Sequence, residues 1–285
     1  MPEGPEVAKQ ADKIRKHVQK CSTIIGLMWD KNSRYFPNTP RGKMIGFELV
    51  QLPLEIQEVS SRGKVIIIQC RNSQKKTIFL VSHLGMSGCW TTEKDEKSRD
   101  KHSNLWLNFG APEGEYYRQE SQLYYNDQRK FGSFSVYEDL ADVWKKNGPC
   151  LLSAAKEKYQ KNMINELLSS TKETWYKTLS NSRISNKPIC EFLMEQKHLS
   201  GVGNYLRGEC LFECKIHPNK SIGDLTREEK ELLYNTILEI MYTSYLEKIR
   251  FKCYAQKTDP DGNAVETYMD AKKRRVHFVP VIQKL

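Results

Sequence analysis

The chain begins with the sequence MPEGPE, which sets a potential nucleophile beside an acid. Removal of Met1 would leave Pro2 with a free secondary amine, and the next residue, Glu3, carries a carboxylate. An α-amino group titrates near pH ~8, so a sizeable fraction is unprotonated at neutral pH. Attack of such an amine on the C1′ atom of a sugar gives an iminium, which withdraws electrons from the sugar. The alternative is a processed Met-Pro start without a chemical role.

Amine catalysis requires a rigid element directly behind Pro2, because a flexible terminus cannot hold a reactive geometry. The sequence predicts such an element as a helix from Pro5 to Val18, with proline near its first turn. Apolar residues recur there at helical spacing: Val7, Ala11, Ile14 and Val18. We therefore expect this helix to anchor the terminus.

The composition favours a polyanionic partner. The 285 residues are enough for two domains. Lys and Arg number 45 against 35 Asp and Glu, and the net charge of +10 favours nucleic acid or an anionic membrane surface. No apolar run reaches about 18 residues, so we expect no membrane span. Basic residues interrupt any signal-peptide core, which predicts an intracellular protein: Lys9, Lys13, Arg15 and Lys16.

The eight cysteines contain no C-x-x-C pair, which disfavours structural zinc. Cys210 and Cys214 lie four residues apart, and with His198 and His217 nearby in sequence they leave a metal site as the alternative. We interpret the cysteines as reduced, partly buried thiols. We expect neither a metal nor a cofactor.

From about Thr23 to Tyr137 the pattern changes to short apolar or alternating runs between turn residues, which predicts a β-sandwich. The predicted strands are Thr23 to Trp29, Met44 to Gln51, Glu55 to Val59, Lys64 to Gln69, Thr77 to Val81, Asn104 to Phe109 and Leu123 to Tyr125.

A linker around Asn147 to Pro149 precedes a helical pattern. The predicted helices are Leu152 to Leu168, Trp175 to Leu179, Ile189 to Gln196, Asn204 to Lys215 and Thr226 to Ile249, and Thr226 opens a capping box. Strands Ala264 to Tyr268 and Val276 to Val279 would then form a hairpin around a basic turn. The fold class is α+β: an N-terminal helix and β-sandwich at 1–147, a linker at 148–153, helices at 154–250 and the hairpin at 251–285.

Two short motifs could bind phosphate. The sequence from Gly201 to Asn204 lies between two predicted helices, where glycines allow close approach and helix N-terminal amides suit a phosphate. Lys64 stands at the start of an apolar strand. The alternatives are an ordinary turn and a strand-edge charge.

Two loops carry side chains suited to a base stack. Met86 lies on a glycine-flanked tip, from which an apolar side chain can wedge between bases. Arg129 and Phe131 lie on a second tip and suit phosphate contact and stacking. The alternative for both loops is packing against the neighbouring strand. Arg274 and Arg275, in the basic turn, could likewise be solvated surface charges.

Together these motifs resemble the Fpg/Nei family, in which they occur in this order. The resemblance covers most of the chain and rests on the PEGPE start, the Lys64 strand, His83 to Gly88, Asp127 to Gly132, Lys187-Pro188, and Gly201 to Asn204 leading to Ile216-His217-Pro218. It implies a bifunctional DNA glycosylase and lyase of base excision repair, with a β-sandwich and a helix-two-turn-helix domain.

Within that family the PEGPE start resembles the endonuclease VIII branch. The family's usual zinc finger needs four cysteines, yet beyond Cys214 only Cys253 remains. The C-terminal hairpin therefore resembles the zincless finger of vertebrate endonuclease VIII-like 1 enzymes and of a giant DNA virus homologue. This branch implies oxidised pyrimidines and hydantoin lesions as substrates, because the connection after Lys248 is too short for the base-capping loop of 8-oxoguanine enzymes.

The resemblance implies a role for each matching residue. Pro2 would attack C1′ of the damaged nucleotide, and Glu3 would supply and shuttle protons through β- and δ-elimination. Lys64 would complete the catalytic set by gripping a phosphate beside the lesion, and Glu6 would support the site by positioning the terminus or the DNA. The other matches would bind DNA around an everted nucleotide: Lys187, Asn204 and Arg275 at phosphates, and Met86, Arg129 and Phe131 in the gap.

Arg275 is preferred to Arg274 because residues 275–278 match the family's Arg-x-x-aromatic pattern better. The implied partner is damaged DNA, single- or double-stranded, bound by a monomer in the nucleus or at a viral replication site. Two other classes remain open. A non-catalytic nucleic-acid binder would explain the charge but not the Pro-Glu start, and a proline-first tautomerase would use the same amine, although Pro2 here precedes a helix.

Overall fold

The structure is a computed structural model that describes residues 2–30, 45–92, 103–160 and 166–285. The chain divides into two compact units. The first comprises the terminus up to Pro2 together with Glu6–Val143, and the second comprises Glu3–Pro5 together with Trp144–Leu285. Glu3 therefore belongs to the second unit, although Pro2, directly before it, lies in the first.

In the described part of the first unit, helix α1 (Gly4–Val18, which begins in the second unit) accompanies one antiparallel sheet of order β5-β7-β6-β1-β2-β3-β4-β8. The strands are β1 (Thr23–Trp29), β2 (Leu54–Arg62), β3 (Val65–Arg71), β4 (Thr77–His83), β5 (Cys89–Thr91), β6 (Ser103–Glu113), β7 (Tyr116–Asn126) and β8 (Ser133–Tyr137).

This sheet folds over on itself around an apolar core. Trp90 of β5 and Phe134 of β8 come from opposite ends of the strand order, yet their rings lie 5.9 Å apart. The apolar stripe of α1, which runs from Val7 to Val18, is buried in the same core. The predicted β-sandwich and the predicted N-terminal helix are confirmed.

The second unit is helical and ends in a hairpin. Its elements are α2 (Ala141–Lys146, which begins in the first unit), α3 (Leu151–Tyr159), α4 (Glu166–Leu179), α5 (Ile189–Phe192), α6 (Asn204–Glu213), α7 (Arg227–Leu246), β9 (Glu266–Met269) and β10 (Arg275–Phe278). The predicted capping box is present: Thr226 Oγ1 accepts from the Glu229 amide, and the Glu229 carboxylate accepts from the Thr226 amide. The α+β fold class is confirmed.

Three predicted elements differ from the structure. The strand from Met44 to Gln51 is wrong over its described residues, because Gly46 adopts a left-handed φ of 78° and starts a 3-10 turn at Phe47–Leu49. Met44 itself lies outside the described residues. The helix from Leu152 to Leu168 is two helices, since the backbone is extended at Gln160, and the predicted helix from Trp175 is the last part of α4.

The helix predicted from Ile189 to Gln196 is shorter and ends at Phe192, where tight turns replace it. The segment 148–153, expected as a linker, lies in the second unit, and its last three residues belong to α3. None of the helices in the described ranges is both long and apolar enough to cross a membrane.

Candidate active site

The carboxylate of Glu3 caps the N-terminus of α6. Glu3 is 1% exposed, and its Oε1 and Oε2 atoms accept hydrogen bonds from the amides of Tyr205 (2.8 Å) and Leu206 (3.2 Å). Gly203, at the N-cap position, has no side chain to satisfy these amides. Two charge-assisted hydrogen bonds and the positive end of the helix dipole therefore stabilise the ionised form of a carboxylate that bulk water does not reach.

The loop before α6 is held on both sides. The Gly4 amide donates to the Gly201 carbonyl at 2.9 Å. The Gln196 side chain accepts from the Gly201 amide at 2.9 Å and donates to the Val202 carbonyl at 2.8 Å. The backbone that carries Glu3 is thereby joined to the loop that leads into the helix.

The contact between the Glu3 carboxylate and the start of α6 requires a glycine at position 203. A Cβ atom at this position would lie 2.6 Å from Cγ of Glu3 and closer still to its Cδ and Oε1 atoms. Any side chain here would therefore displace the carboxylate. The sequence suggested a phosphate at the α6 amides, and for Tyr205 and Leu206 that interpretation is wrong because Glu3 occupies them.

Pro2 and Glu6 flank this anchored residue. Pro2 is half-buried and directly precedes Glu3, so the candidate amine is one residue from a fixed carboxylate. Glu6 is half-buried in the first turn of α1, where a negative charge complements the helix dipole.

Asn204 begins α6 and is tied to the hairpin. Its Nδ2 donates to the Arg275 carbonyl at 3.0 Å, and its Oδ1 accepts from Nη2 of Arg207. Nη2 of Arg207 also donates to the Arg275 carbonyl at 3.1 Å, and Nη1 donates to Oδ2 of Asp270 at 2.9 Å. One buried guanidinium thus joins the start of α6 to both ends of the basic turn.

Asp270 organises the basic turn. Its Oδ1 accepts from the amides of Lys272 and Arg274, and its Oδ2 accepts from the guanidinium groups of Arg207 and Arg274. Burial opposes the negative charge, but the Arg274 amide and the two guanidinium groups hold the pKa of Asp270 below its ordinary value. The turn is therefore fixed by internal hydrogen bonds.

This arrangement distinguishes the two candidate arginines. Nε of Arg274 donates to Asp270 at 2.8 Å, so its guanidinium is engaged within the turn. Arg275 is exposed at the start of β10, and no ion pair joins it to any residue in the described ranges. The geometry favours Arg275 as the arginine available to an external anion.

Lys187 is engaged by a carboxylate. Its Nζ lies 2.7 Å from Oε1 of Glu195. Although partial burial opposes ionisation, the hydrogen bond from Lys187 keeps the pKa of Glu195 below its ordinary value. A role for Lys187 at a phosphate stays a prediction, and it would use the ammonium donors that Glu195 does not occupy.

In the first unit, Lys64 stands on the two-residue turn between β2 and β3. Arg62 pairs with Val65 across this turn, and Gly63 adopts a φ of 58°. Lys64 is half-buried and lies one residue before the strand that was predicted to begin with it. A tight turn of this kind holds the side chain at a defined end of the sheet.

The two predicted tips of the first unit lie side by side. Ser87 Oγ donates to Oδ1 of Asp127 at 2.8 Å and accepts from the Arg129 amide at 3.0 Å. Oδ2 of Asp127 accepts from the Gly132 amide at 2.7 Å. Asp127 therefore fixes both loops together.

Three side chains extend from this pair of loops into solvent. Met86 is 40% exposed and Phe131 is 50% exposed. The Arg129 guanidinium lies 5.3 Å from the centre of the Phe131 ring. Apolar, aromatic and cationic groups thus share one rim, and its contact with bases stays a prediction.

Three cysteines of the second unit, Cys210, Cys214 and Cys253, are buried free thiols. Burial raises the pKa of Cys253 to about 12 and that of Cys214 to about 11, and it raises the pKa of Cys210 well above its ordinary value. Among residues in the described ranges, no three His, Cys, Asp or Glu side chains lie close enough together to hold a metal ion.

Comparison with known proteins decides the family. A model of the formamidopyrimidine-DNA glycosylase N-terminal domain matches residues 1–134, and a model of the H2TH domain of the same enzymes matches residues 166–251. The formamidopyrimidine-DNA glycosylase of Lactococcus lactis subsp. lactis strain IL1403 is 31% identical over 248 residues, which cover 85% of this chain and 77% of that protein. This chain belongs to the formamidopyrimidine-DNA glycosylase family. It is therefore a DNA glycosylase with AP lyase activity, an enzyme of DNA repair.

Other relatives of this glycosylase support the same family assignment. The Proteus mirabilis enzyme is 29% identical over 247 residues, which cover 86% of this chain and 76% of that one. The crystal structure of the Lactococcus lactis enzyme bound non-covalently to AP-site DNA has a TM-score of 0.72 at 25% identity, over 99% of this chain and 100% of that chain. A second Lactococcus lactis structure, bound to DNA with an oxidised pyrimidine, has the same TM-score and identity.

Sequence reasoning missed the polar residues that hold the glycosylase site together. Arg207 and Glu209 lie in a buried stretch of α6, and Glu209 accepts from the amides of Lys252, Cys253 and Tyr254. The signal was available in the sequence, because charged residues inside an otherwise apolar helix are retained only when they are paired. Asp270 gave no such signal within its charged turn.

Proposed function

We propose that this glycosylase removes oxidised pyrimidines and hydantoin-type lesions through a Schiff base on Pro2, followed by β- and δ-elimination. The observation that carries the proposal is the Glu3 carboxylate, buried and fixed by the Tyr205 and Leu206 amides one residue after the candidate amine. A non-catalytic DNA binder would gain only the stability of this helix cap and would have no use for a carboxylate beside a terminal amine.

The proposed reaction starts at the Pro2 amine. The nitrogen attacks C1′, the glycosidic bond breaks, and the base leaves with a proton taken up from water. The sugar ring then opens to an iminium, and its oxygen receives the proton that the amine released. Loss of a C2′ proton then expels the 3′ phosphate. A second elimination expels the 5′ phosphate, which leaves a one-nucleotide gap with phosphates at both ends. The departing base takes the electron pair of the glycosidic bond, and the iminium accepts the electron pair released by each deprotonation, so the reaction needs neither a metal nor a nucleotide cofactor.

Glu3 would act as a base before it acts as an acid. The helix N-terminus stabilises its ionised form, so the carboxylate must gain a proton before it can donate one. Proton release from the attacking amine supplies that proton, and the opening sugar then receives it. This order uses one carboxylate for both transfers, as general acid–base catalysis requires.

We assign phosphate contacts to Lys64, Asn204 and Arg275. Lys64 is on a tight turn, Asn204 keeps one amide hydrogen beyond its bond to Arg275, and Arg275 is exposed. Donors of this kind would hold the backbone around an everted nucleotide. Met86, Arg129 and Phe131, on their shared rim, would fill the space that the nucleotide leaves.

We assign the chain to the endonuclease VIII branch with a zincless finger, and we propose that it acts as a monomer. The connection between α7 and the hairpin is tied down, because Glu209 binds the amides of Lys252, Cys253 and Tyr254. Little chain is left for a loop that would cover an 8-oxopurine. The proposed substrate implies a compartment that contains DNA, either a nucleus or a viral replication site.

The substrate assignment is tested by single-turnover kinetics on two duplexes, one with thymine glycol and one with 8-oxoguanine opposite cytosine. We expect thymine glycol to be excised at least roughly tenfold faster, with phosphates at both ends of the product gap. Faster excision of 8-oxoguanine opposite cytosine would overturn the branch assignment but not the amine mechanism.

A further inference from the structure

The Arg207 guanidinium is buried but takes no part in the chemistry described above. It is 1% exposed, so it cannot touch a DNA phosphate in this structure. All its contacts are internal: Asp270 Oδ2 at 2.9 Å, the Arg275 carbonyl at 3.1 Å, the Cys190 carbonyl at 3.4 Å and Oδ1 of Asn204. Two of these partners belong to residues assigned to phosphate binding.

The first consequence concerns the orientation of the Asn204 amide. A guanidinium has only donors, so the amide oxygen must face Arg207 and the amide nitrogen must face away from it. Nδ2 then donates one hydrogen to the Arg275 carbonyl and keeps a second. A phosphate accepts hydrogen bonds but donates none at neutral pH, so only this orientation of Asn204 can bind it.

The second consequence concerns the backbone from which Arg275 extends. Its carbonyl accepts from both Arg207 and Asn204, and the turn before it is anchored through Asp270 to the same guanidinium. Arg275 is exposed on a short hairpin. Without the guanidinium, the Arg275 carbonyl would keep only one of these two hydrogen bonds to α6, the one from Asn204 Nδ2.

We propose that Arg207 is a positioning residue for DNA binding: its buried guanidinium sets the Asn204 donor and the Arg275 backbone in one fixed geometry. The proposal rests on the phosphate roles assigned to Asn204 and Arg275. Only an arginine can fill this position, because its planar fork serves several acceptors at once, whereas a lysine ammonium is a point charge.

The test measures how binding of a duplex with a tetrahydrofuran abasic analogue depends on salt. Each lost cation–phosphate contact lowers the slope of log Kobs against log[KCl] by about 0.9. We expect that decrease for Arg275→Ala, and nearly the same decrease for Arg207→Lys, although Arg207→Lys keeps the net charge and residue 207 is buried. Affinity at a fixed salt concentration should fall about tenfold in each variant.

A double-mutant cycle separates positioning from a direct contribution. Arg207→Lys should not lower the slope further in the Arg275→Ala background. Arg274→Met is the matched control, because it removes an ion pair to the same Asp270 but touches neither Asn204 nor the Arg275 carbonyl. Its slope should equal that of the wild type.

Arg207→Met tests the positioning role without the charge. If this variant does not fold, Arg207→Lys still tests the positioning role, because a lysine can pair with Asp270. A purely structural role for Arg207 would lower the melting temperature and leave the slope unchanged, which would overturn the proposal. Wild-type protein that forms no covalent adduct with damaged DNA would instead refute the proposed function. A wild type that forms the adduct, with unchanged slopes in the Arg207 variants, refutes only the positioning role.

Discussion

Replacement of Glu3 by glutamine is expected to lower the rate of base excision by about 10²- to 10⁴-fold, the range typical of a lost general acid–base group. Glutamine keeps the size of the side chain but cannot carry a proton between the amine and the sugar. Its amide nitrogen would also face one of the two α6 amides that now donate to Glu3. Single-turnover excision of thymine glycol measures the effect.

Binding and folding controls show whether this loss is chemical. Glu3→Gln should bind a tetrahydrofuran-containing duplex within about threefold of the wild type, since Glu3 is not among the cationic or apolar groups assigned to DNA contact. Glu213→Gln makes the same charge change at the other end of α6, where the carboxylate pairs with Lys252 on the surface, and should keep the wild-type rate. An undiminished rate in Glu3→Gln would contradict the assigned role.

The second large effect is expected from one methyl group. Gly203→Ala should lower the excision rate by at least about 100-fold, because the new Cβ would overlap the Glu3 carboxyl group and displace it by the order of an ångström. The overlap should also destabilise the fold by about 1–3 kcal/mol, as in other overpacked interiors. Excision kinetics at a temperature where the variant is fully folded, together with thermal unfolding, measure both effects.

Gly208→Ala is the matched control in the same helix. A Cβ at Gly208 would meet nothing closer than Cβ of Tyr254 at 3.7 Å, an ordinary van der Waals distance. Since alanine favours a helix interior over glycine by about 0.8–1.0 kcal/mol, this variant should be slightly more stable and fully active. Equal activities in Gly203→Ala and Gly208→Ala would show that the position of Glu3 does not matter.

Local patterns in the sequence predicted the elements whose stability is local. The apolar stripe of α1 and the capping box of α7 both depend on residues three or four apart, and both are found where they were predicted. The strand expected near Gly46 fails for an equally local reason, a left-handed backbone that periodicity does not report. Strand β5 has only three residues, which are too few to give an alternating apolar pattern. Its pairing with β7 defines it instead.

The candidate site was predictable in its composition but not in its connections. Pro2 and Glu3 can be proposed from the chemistry of a terminal amine beside a carboxylate. The partner of Glu3 could not be predicted from the sequence, because the Tyr205 amide is 202 residues away and a backbone donor carries no sequence signal. The same holds for Arg207, whose acceptors include the main-chain carbonyl of Arg275.

The hairpin illustrates how buried charged side chains can hold a turn that contains no cysteine. The Arg207–Asp270 pair is almost completely buried, so loss of Asp270 would leave the Arg207 charge uncompensated and cost about 3–5 kcal/mol. Loss of Arg207 would leave Asp270 with its second partner, Arg274. Glu209 satisfies three successive amides at the start of the connection. Arg207 and Glu209 both project from α6, the helix whose N-terminal amides bind Glu3.

Borohydride trapping on a thymine-glycol duplex tests the central claim most directly. Protein with a free Pro2 amine is compared with protein that retains Met1 or is acetylated at its terminus, because Pro2→Gly or Pro2→Ala would keep an amine. Reduction converts an iminium into a stable bond, so we predict a covalent complex with the free terminus, no complex with the blocked one, and an adduct that mass spectrometry places on Pro2. Full excision and strand cleavage by protein that retains Met1, or an adduct on another residue, would contradict the account.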